Sequence, residues 1–304
     1  MRLNIALVSD QIPMDYLRPA FAARFPEAAL HRFDTEVQAH GALADIDVAV
    51  CWSPPPGLLA RMPKLRLIQS VGAGTDHITR DATLPGVPIR RIVDPEMAAG
   101  MNAYVAWAVV HGQRHMAGYI ANQRSAAWQE APVVPPGRHR VGIAGLGVLG
   151  QSAARALAAI GYPVRGWSRS PKSALPEGVQ AFHGDGGRAE FLAGCDTLVC
   201  LLPLNEDTQG ILNAELFAQL PYGAHLVNAG RGAQLVQDDL LAALESGRIA
   251  SAVLDAFVQE PLPASHPFWH HPRITVTPHI ATRTGPETIA RLTRDHLAQL
   301  AVMA

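Results

Sequence analysis

Short apolar runs alternate along this chain with longer stretches of helical periodicity. Leu3 to Val8 (LNIALV), Val48 to Cys51 (VAVC) and Leu65 to Gln69 (LRLIQ) are too short for helices and are bounded by turn-rich segments, so they read as strands. The pattern returns in Val141 to Ala144 (VGIA), Thr197 to Pro203 (TLVCLLP), Ala224 to Gly230 (AHLVNAG), Ala250 to Phe257 (ASAVLDAF) and Arg273 to His279 (RITVTPH). Helix-like segments such as NAELFAQL and VQDDLLAALESG lie between them, the second closing on Gly247. Such alternation predicts an α/β fold with two doubly wound parallel sheets, one small and one larger. Pro95 to Asn122 carries Met101, Val105, Val109, Gly112 and Met116 at helical spacing without an internal proline, and predicts one long helix leaving the first domain. The proline-rich APVVPPG, Ala131 to Gly137, then marks a boundary, and Thr284 to Ala304 predicts a closing amphipathic helix.

The stretch RVGIAGLGVLG, Arg140 to Gly150, is where the pattern acquires chemistry. Gly145, Gly147 and Gly150 follow a strand as G-x-G-x-x-G. The first glycine permits a tight turn, the second lets backbone approach a pyrophosphate, and the third lets helix and strand pack closely. The next run, QSAARALAAIG, favours a helix that ends at Gly161 and aims its first N–H groups at a phosphate. Earlier, Val71-Gly72-Ala73-Gly74-Thr75 follows a strand and can present several N–H groups together; an anion nest and a plain strand-to-helix turn fit it equally.

Composition narrows the ligands. With 304 residues, 48% hydrophobic and 17% charged, the chain can bury two cores, and a formal net charge of −1 with no basic run offers no footprint for nucleic acid or a membrane surface. The N-terminal MRLNIALVSD is interrupted too soon for a signal peptide and no stretch reaches the roughly 18 apolar residues of a spanning helix, so a cytoplasmic enzyme with a small-molecule substrate is expected. Cys51, Cys195 and Cys200 lack metal or redox spacing and read as reduced core thiols. His111 and His115 stand four apart with no third ligand at hand, so no metal is assigned to them.

Three reactive residues fall where the larger sheet's strands end: Arg231 after LVNAG, Glu260 beyond Asp255, and His279 after ITVTP. A histidine beside a carboxylate can serve as a general acid, and an arginine fork can hold a substrate carboxylate. The strand after the glycine turn, PVRGW, ends in Ser168-Arg169-Ser170-Pro171-Lys172 with no acid about 20 residues on, where an NAD site places one to bind the ribose. Ser168, Arg169, Ser170 and Lys172 suit a 2′-phosphate instead, which predicts NADPH in preference to NADH.

In order and spacing, VGIAGLGVLG, CLLPLNEDTQGILN, LVNAGRGAQLV, DAFVQEPLPASHPFWHHP and VTPHIA resemble the D-isomer-specific 2-hydroxyacid dehydrogenase family, in its glyoxylate/hydroxypyruvate reductase A-like branch. The resemblance implies a Rossmann cofactor domain, 98–280, inserted into a flavodoxin-like substrate domain formed by 1–97 and 281–304. It implies hydride transfer to a small 2-oxo acid such as glyoxylate or hydroxypyruvate, giving the D-2-hydroxy acid in a homodimer, with Arg231, Glu260 and His279 as the catalytic set. The pyrophosphate would lie on Gly145, Leu146, Gly147, Val148, Leu149 and Gly150. Leu202 and Pro203 would flank the adenosine, with Asn228, Ala229 and Gly230 nearby and Asp255 on the nicotinamide amide. Trp52 and the N–H groups of Val71, Gly72 and Ala73 would meet the substrate. The chain departs from the family at Ala103, where many members carry Glu before the aromatic residue, here Tyr104. In PHIATRTGP it places Arg283 ahead of the expected arginine position and Gly285 on it, and Arg283 is the candidate substitute. A nicotinamide-nucleotide sensor without turnover, or a dehydrogenase of another small anion, remains open on the same scaffold.

Overall fold

The computed structural model describes residues 2–37 and 43–303, and these fall into two units, one before residue 96 and after residue 282, the other 96–282.

In the first unit the chain runs β1 (Asn4–Ser9), α1 (Arg18–Arg24), β2 (Ala29–Phe33), β3 (Val48–Trp52), β4 (Leu67–Ser70), the short α2 (Asp76–Thr79) and β5 (Ile89–Arg90). All five strands are parallel, in the order β2-β1-β3-β4-β5, which is the flavodoxin-like winding. Alternate residues enter opposite layers: Ala6, Val8, Ala49, Cys51 and Ile68 share one apolar cluster with Leu59, Met62 and Ile78. The period-2 geometry sends Ile5, Leu7, Val50 and Leu67, all fully buried, to the other face. Edge strand β2 was not legible as a strand because ALHRF carries His31 and Arg32 and is only half buried.

The second unit begins with α3 (Pro95–Gln113) and α4 (Met116–Arg124) and continues through β6 (Val141–Ala144), α5 (Val148–Ile160), β7 (Val164–Ser168), β8 (Val179–His183) and α6 (Gly184–Ala193). It completes with β9 (Thr197–Cys200), α7 (Ala214–Gln219), β10 (Ala224–Asn228), α8 (Gln237–Glu245), β11 (Ile249–Leu254) and β12 (Ile274–Val276). The last helix, α9 (Pro286–Met303), belongs to the first unit and packs on α1.

The seven strands of the second unit are parallel in the order β12-β11-β10-β9-β6-β7-β8, so the winding reverses at β6 and β9. Leu198, Cys200, Leu226 and Leu254 enter the layer covered by Phe191 of α6, Phe217 of α7 and Leu244 of α8. Val199, Val227 and Val253, each one residue out of phase, enter the layer covered by Val105 of α3 and Leu157 of α5. The inner strands β6, β9 and β10 are therefore buried along their whole length, as strands covered on both faces require, whereas the edge strand β8 is mostly exposed.

One expectation is corrected here. The helix predicted over 95–122 breaks at His115, which adopts a left-handed backbone at φ 53° and precedes α4. Helical periodicity persists in the sequence, but the buried His225 ring occupies the space beside Gly112 and α4 buries none of its own residues. His111 and His115 consequently do not share a helix face; His111 Nε2 pairs with Thr275 Oγ1 at 3.0 Å.

Candidate active site

The glycine turn joins β6 to α5 at the point where the sheet reverses. Gly145 has φ 108°, and a Cβ there would sit 2.6 Å from the Leu201 carbonyl oxygen, so both conformation and space require glycine. A Cβ on Gly150 would overlap the Gly145 carbonyl. At Gly147 the surroundings are open, with no atom within 4 Å of a Cβ position. Gly147 is exposed and caps α5 without a side-chain hydrogen bond, so the first N–H groups of a thirteen-residue helix carry no side-chain cap. A dinucleotide pyrophosphate fits this cradle. Leu146, by contrast, turns inward against Gly166 and is buried; Val148 is exposed and Leu149 half-buried.

Beyond β7, the Ser168 hydroxyl donates to the Ser170 carbonyl at 2.8 Å and Ser168 is buried, which corrects the expectation that it offers a free donor to a phosphate. Arg169 and Lys172 are exposed, and Arg169 Nη1 meets Asp207 Oδ2 at 3.0 Å. On the neighbouring strand ends Leu202 is buried and Pro203 exposed, and both carbonyls accept from Gln234 Nε2, at 2.9 and 3.2 Å. Asn228 is buried; its Nδ2 donates to the Arg231 carbonyl and its Oδ1 accepts from Gly230 N, which tightens the Asn228-Ala229-Gly230 turn.

Arg231, Glu260 and His279 follow β10, β11 and β12, adjacent strands of one sheet. The Arg231 backbone N–H donates to Gln234 Oε1 at 2.8 Å, and its Nη1 donates to Gly230 O at 2.9 Å. A Cβ on Gly232 would collide with the Phe257 backbone, so this glycine lets the Arg231 loop close on the segment leading to Glu260. Glu260 Oε1 accepts from Phe257 N at 2.8 Å, and Oε2 lies 2.7 Å from His279 Nδ1. Burial opposes ionisation of Glu260, but the hydrogen bond and charge of His279, the Phe257 N–H and nearby Arg231 outweigh it and hold the carboxyl below its ordinary value. An arginine and a carboxylate-paired imidazole at neighbouring strand ends can bind an anion and move a proton.

Asp255 is buried at the end of β11 with both carboxylate oxygens engaged: its Oδ1 accepts from Thr277 Oγ1 at 2.6 Å and Ile280 N at 2.9 Å, and its Oδ2 from Ala281 N at 2.8 Å. Thr277, Gln234 and Gly232 are further site residues, not legible as such in the sequence. The signals were present in the TPH and GRGAQ motifs, yet their partners lie far away in sequence.

In the first unit, Trp52 is half-buried, its ring centroid 4.5 Å from that of His77, and Gly72 packs on its edge. The Val71 N–H donates to Cys51 O and the Gly72 N–H to Ser70 Oγ, each at 3.1 Å. This corrects the expectation that both point outward; to grip a carboxylate the loop has to share or re-aim those bonds. Ala73 is half-buried, and its carbonyl accepts from Arg91 at 3.4 Å. Arg283 is exposed.

The three cysteines are buried and unbridged, and burial pushes the thiols of Cys195 and Cys200 up to about 12. Among the described residues no helix is long and apolar enough to cross a membrane.

Comparison with known proteins agrees with this architecture. The model of the D-isomer specific 2-hydroxyacid dehydrogenase NAD binding domain matches residues 106–281. Glyoxylate/hydroxypyruvate reductase A of Serratia proteamaculans is 47% identical over 247 residues, 79% of this chain and 78% of that protein. The NADPH-dependent glyoxylate/hydroxypyruvate reductase of Sinorhizobium meliloti, solved with NADP and sulfate, has a TM-score of 0.90 at 36% identity and covers 99% of this chain and 96% of its own. A D-isomer specific 2-hydroxyacid dehydrogenase of Xanthobacter autotrophicus, solved with NADPH and MES, has the same TM-score, identity and coverage. The match over residues 106–281 and the extent of this similarity establish that the chain belongs to the D-isomer specific 2-hydroxyacid dehydrogenase family.

Proposed function

We propose that the protein reduces a small 2-oxo acid, of the size of glyoxylate or hydroxypyruvate, to the D-2-hydroxy acid with NADPH. The observation that carries this is the His279–Glu260 pair at 2.7 Å, one strand away from Arg231 in the sheet that holds the glycine cradle. Two relatives named as glyoxylate/hydroxypyruvate reductases, one of them solved with NADP, and a D-isomer specific 2-hydroxyacid dehydrogenase solved with NADPH support it.

When bound, the nicotinamide supplies the hydride for the carbonyl carbon. Gly145, Gly147 and Gly150 with the start of α5 would hold the pyrophosphate, and Arg169 and Lys172 the 2′-phosphate. The guanidinium of Arg231 binds and orients the 2-oxo acid through its planar fork. With Nδ1 of His279 held by Glu260, Nε2 is the ring nitrogen that donates a proton to the carbonyl oxygen. Ionised Glu260 stabilises the imidazolium before transfer and fixes the ring afterwards. The 1–97 segment with its returning C-terminal helix serves as the substrate domain, where Trp52 and the loop at Val71, Gly72 and Ala73, joined by Arg283, set which 2-oxo acid is accepted.

A homodimer is part of the proposal. α4 buries no residue of its own, and Trp107, Val110, Ile120 and Val133 are exposed nearby, with Trp128 92% exposed. Exposed large apolar side chains of this kind suit burial against a second copy of the chain. The three buried thiols suit a reducing compartment such as the cytoplasm.

The deciding experiment is a panel of glyoxylate, hydroxypyruvate and larger 2-oxo acids assayed with NADPH and with NADH. Turnover of the small substrates with a higher kcat/KM for NADPH is expected. Binding of NADPH without turnover of any 2-oxo acid would instead favour a nucleotide sensor.

A further inference from the structure

The hydrogen-bonded chain that leads from α3 to the His279 turn contains a residue pair with no part in the scheme above. Thr277 Oγ1 donates to Asp255 Oδ1 at 2.6 Å, and Tyr104 Oη lies 2.6 Å from the same hydroxyl. A threonine hydroxyl has one hydrogen, and a carboxylate can only accept it; the Tyr104 hydroxyl is therefore the donor to Thr277. Burial, reinforced by the charge of Asp255, pushes the Tyr104 phenol above its ordinary value, so it keeps that proton at neutral pH.

What Asp255 does with its remaining lone pairs gives the chain its purpose. Its carboxylate accepts from the backbone N–H groups of Ile280 and Ala281, the two residues after His279, and its carbonyl accepts from His279 N at 2.9 Å. His279 itself stands at φ 53°, a left-handed conformation that is uncommon for a non-glycine residue. Asp255 is thus a clamp on the turn that aims the imidazole at Glu260, and Thr277 and Tyr104 orient the clamp.

We propose that Tyr104 and Thr277 are positioning residues of the reductase reaction, which act through Asp255 to hold His279 in the left-handed turn that pairs its imidazole with Glu260. The proposal rests on the reading of His279 as the proton donor. It assigns to Tyr104, on a helix 173 positions away in sequence from Thr277, a contribution to chemistry without contact with substrate.

The test compares Tyr104→Phe, Thr277→Val and Thr277→Ser with His279→Ala, in steady-state kinetics and in an NMR titration of the His279 imidazole in cofactor-free protein. Thr277→Val is expected to lower kcat by roughly tenfold with KM for NADPH nearly unchanged, the size of one lost hydrogen bond to a charged group. It should also shift the His279 titration and speed exchange of the Ile280 and Ala281 amides. Tyr104→Phe should move the same observables in the same direction by less, and Thr277→Ser should restore the parent values. Wild-type kcat and an unchanged His279 titration in folded Thr277→Val overturn the proposal; should that variant not fold, the same result in Tyr104→Phe does so. Wild-type kcat in His279→Ala overturns the underlying acid assignment instead, so the two failures are distinguishable.

Discussion

His279 and Glu260 meet at 2.7 Å although nineteen positions separate them, and they do so with the histidine backbone in the left-handed region. The strain of such a residue, about 1 to 3 kcal/mol, is offset by the three backbone N–H groups of His279, Ile280 and Ala281 that bond to Asp255. The pair is therefore preorganised before any ligand arrives, which is what proton transfer in a closed site requires.

From this geometry, His279→Ala is expected to lower kcat by roughly 10² to 10⁴-fold while leaving NADPH binding almost intact. Glu260→Gln should lower kcat, because the ring loses the carboxylate that holds Nδ1 and fixes its orientation. The stability effect has its own sign. The Glu260 carboxyl is depressed in the folded state, so its contribution is present above its unfolded value and is lost as pH falls through the folded one. Glu260→Gln should then be less stable than wild type at neutral pH, with the difference closing in acid. pH–rate profiles and denaturant midpoints at several pH values check both.

The glycines of the turn should separate folding from binding. Gly150→Ala is expected to lower Tm, since its Cβ would overlap the Gly145 carbonyl. Gly147→Ala meets open space and should leave Tm unchanged while it weakens NADPH, because the methyl projects where a pyrophosphate would sit. Thermal melts with and without NADPH distinguish the two; equal loss of Tm in both ligand-free variants would contradict the cradle.

Cofactor selectivity turns on Arg169 and its exposed partner Asp207. Arg169→Ala should weaken NADPH by roughly tenfold or more, the range for hydrogen bonds to a charged group, and leave NADH nearly unchanged. Asp207→Asn should do the opposite, raising the NADPH to NADH ratio of kcat/KM by removing a carboxylate that competes for the guanidinium and repels a phosphate. An Arg169→Ala enzyme with an unaltered ratio would remove Arg169 from the cofactor site.

Acid stability should be limited by His225. It is buried beside Gly112, with Nδ1 2.8 Å from Ser251 Oγ, and burial together with His139, His115 and His111 lowers its pKa from 6.5 to about 4. Between those values the unfolded chain binds a proton that the folded chain refuses, so stability falls as pH drops through that window, by about 3 kcal/mol at most from this group. His225→Gln should flatten the dependence of the urea midpoint on pH between 4 and 6.5. An equally steep dependence in the variant would assign the acid sensitivity elsewhere.

The amino-acid sequence by itself determined the α/β class and the position of the glycine turn. Both depend on interactions within a few residues: apolar runs of strand length, helix formers between them, and glycines whose turn geometry is local. It also placed Arg231, Glu260 and His279 at strand ends, since a residue following a buried run has few other places to be. Only the tertiary structure decided how these groups are held. Thr277, Asp255 and Tyr104 come together across 173 positions, and the Ser168 hydroxyl is spent on a neighbouring carbonyl. The helix predicted through residue 122 ends at Gln113 and the chain turns at His115, beside the Gly112 contact with His225 from a distant strand. Periodicity reports which face of an element is apolar; which polar atom a side chain reaches is fixed by packing between elements, and no local pattern encodes that distance.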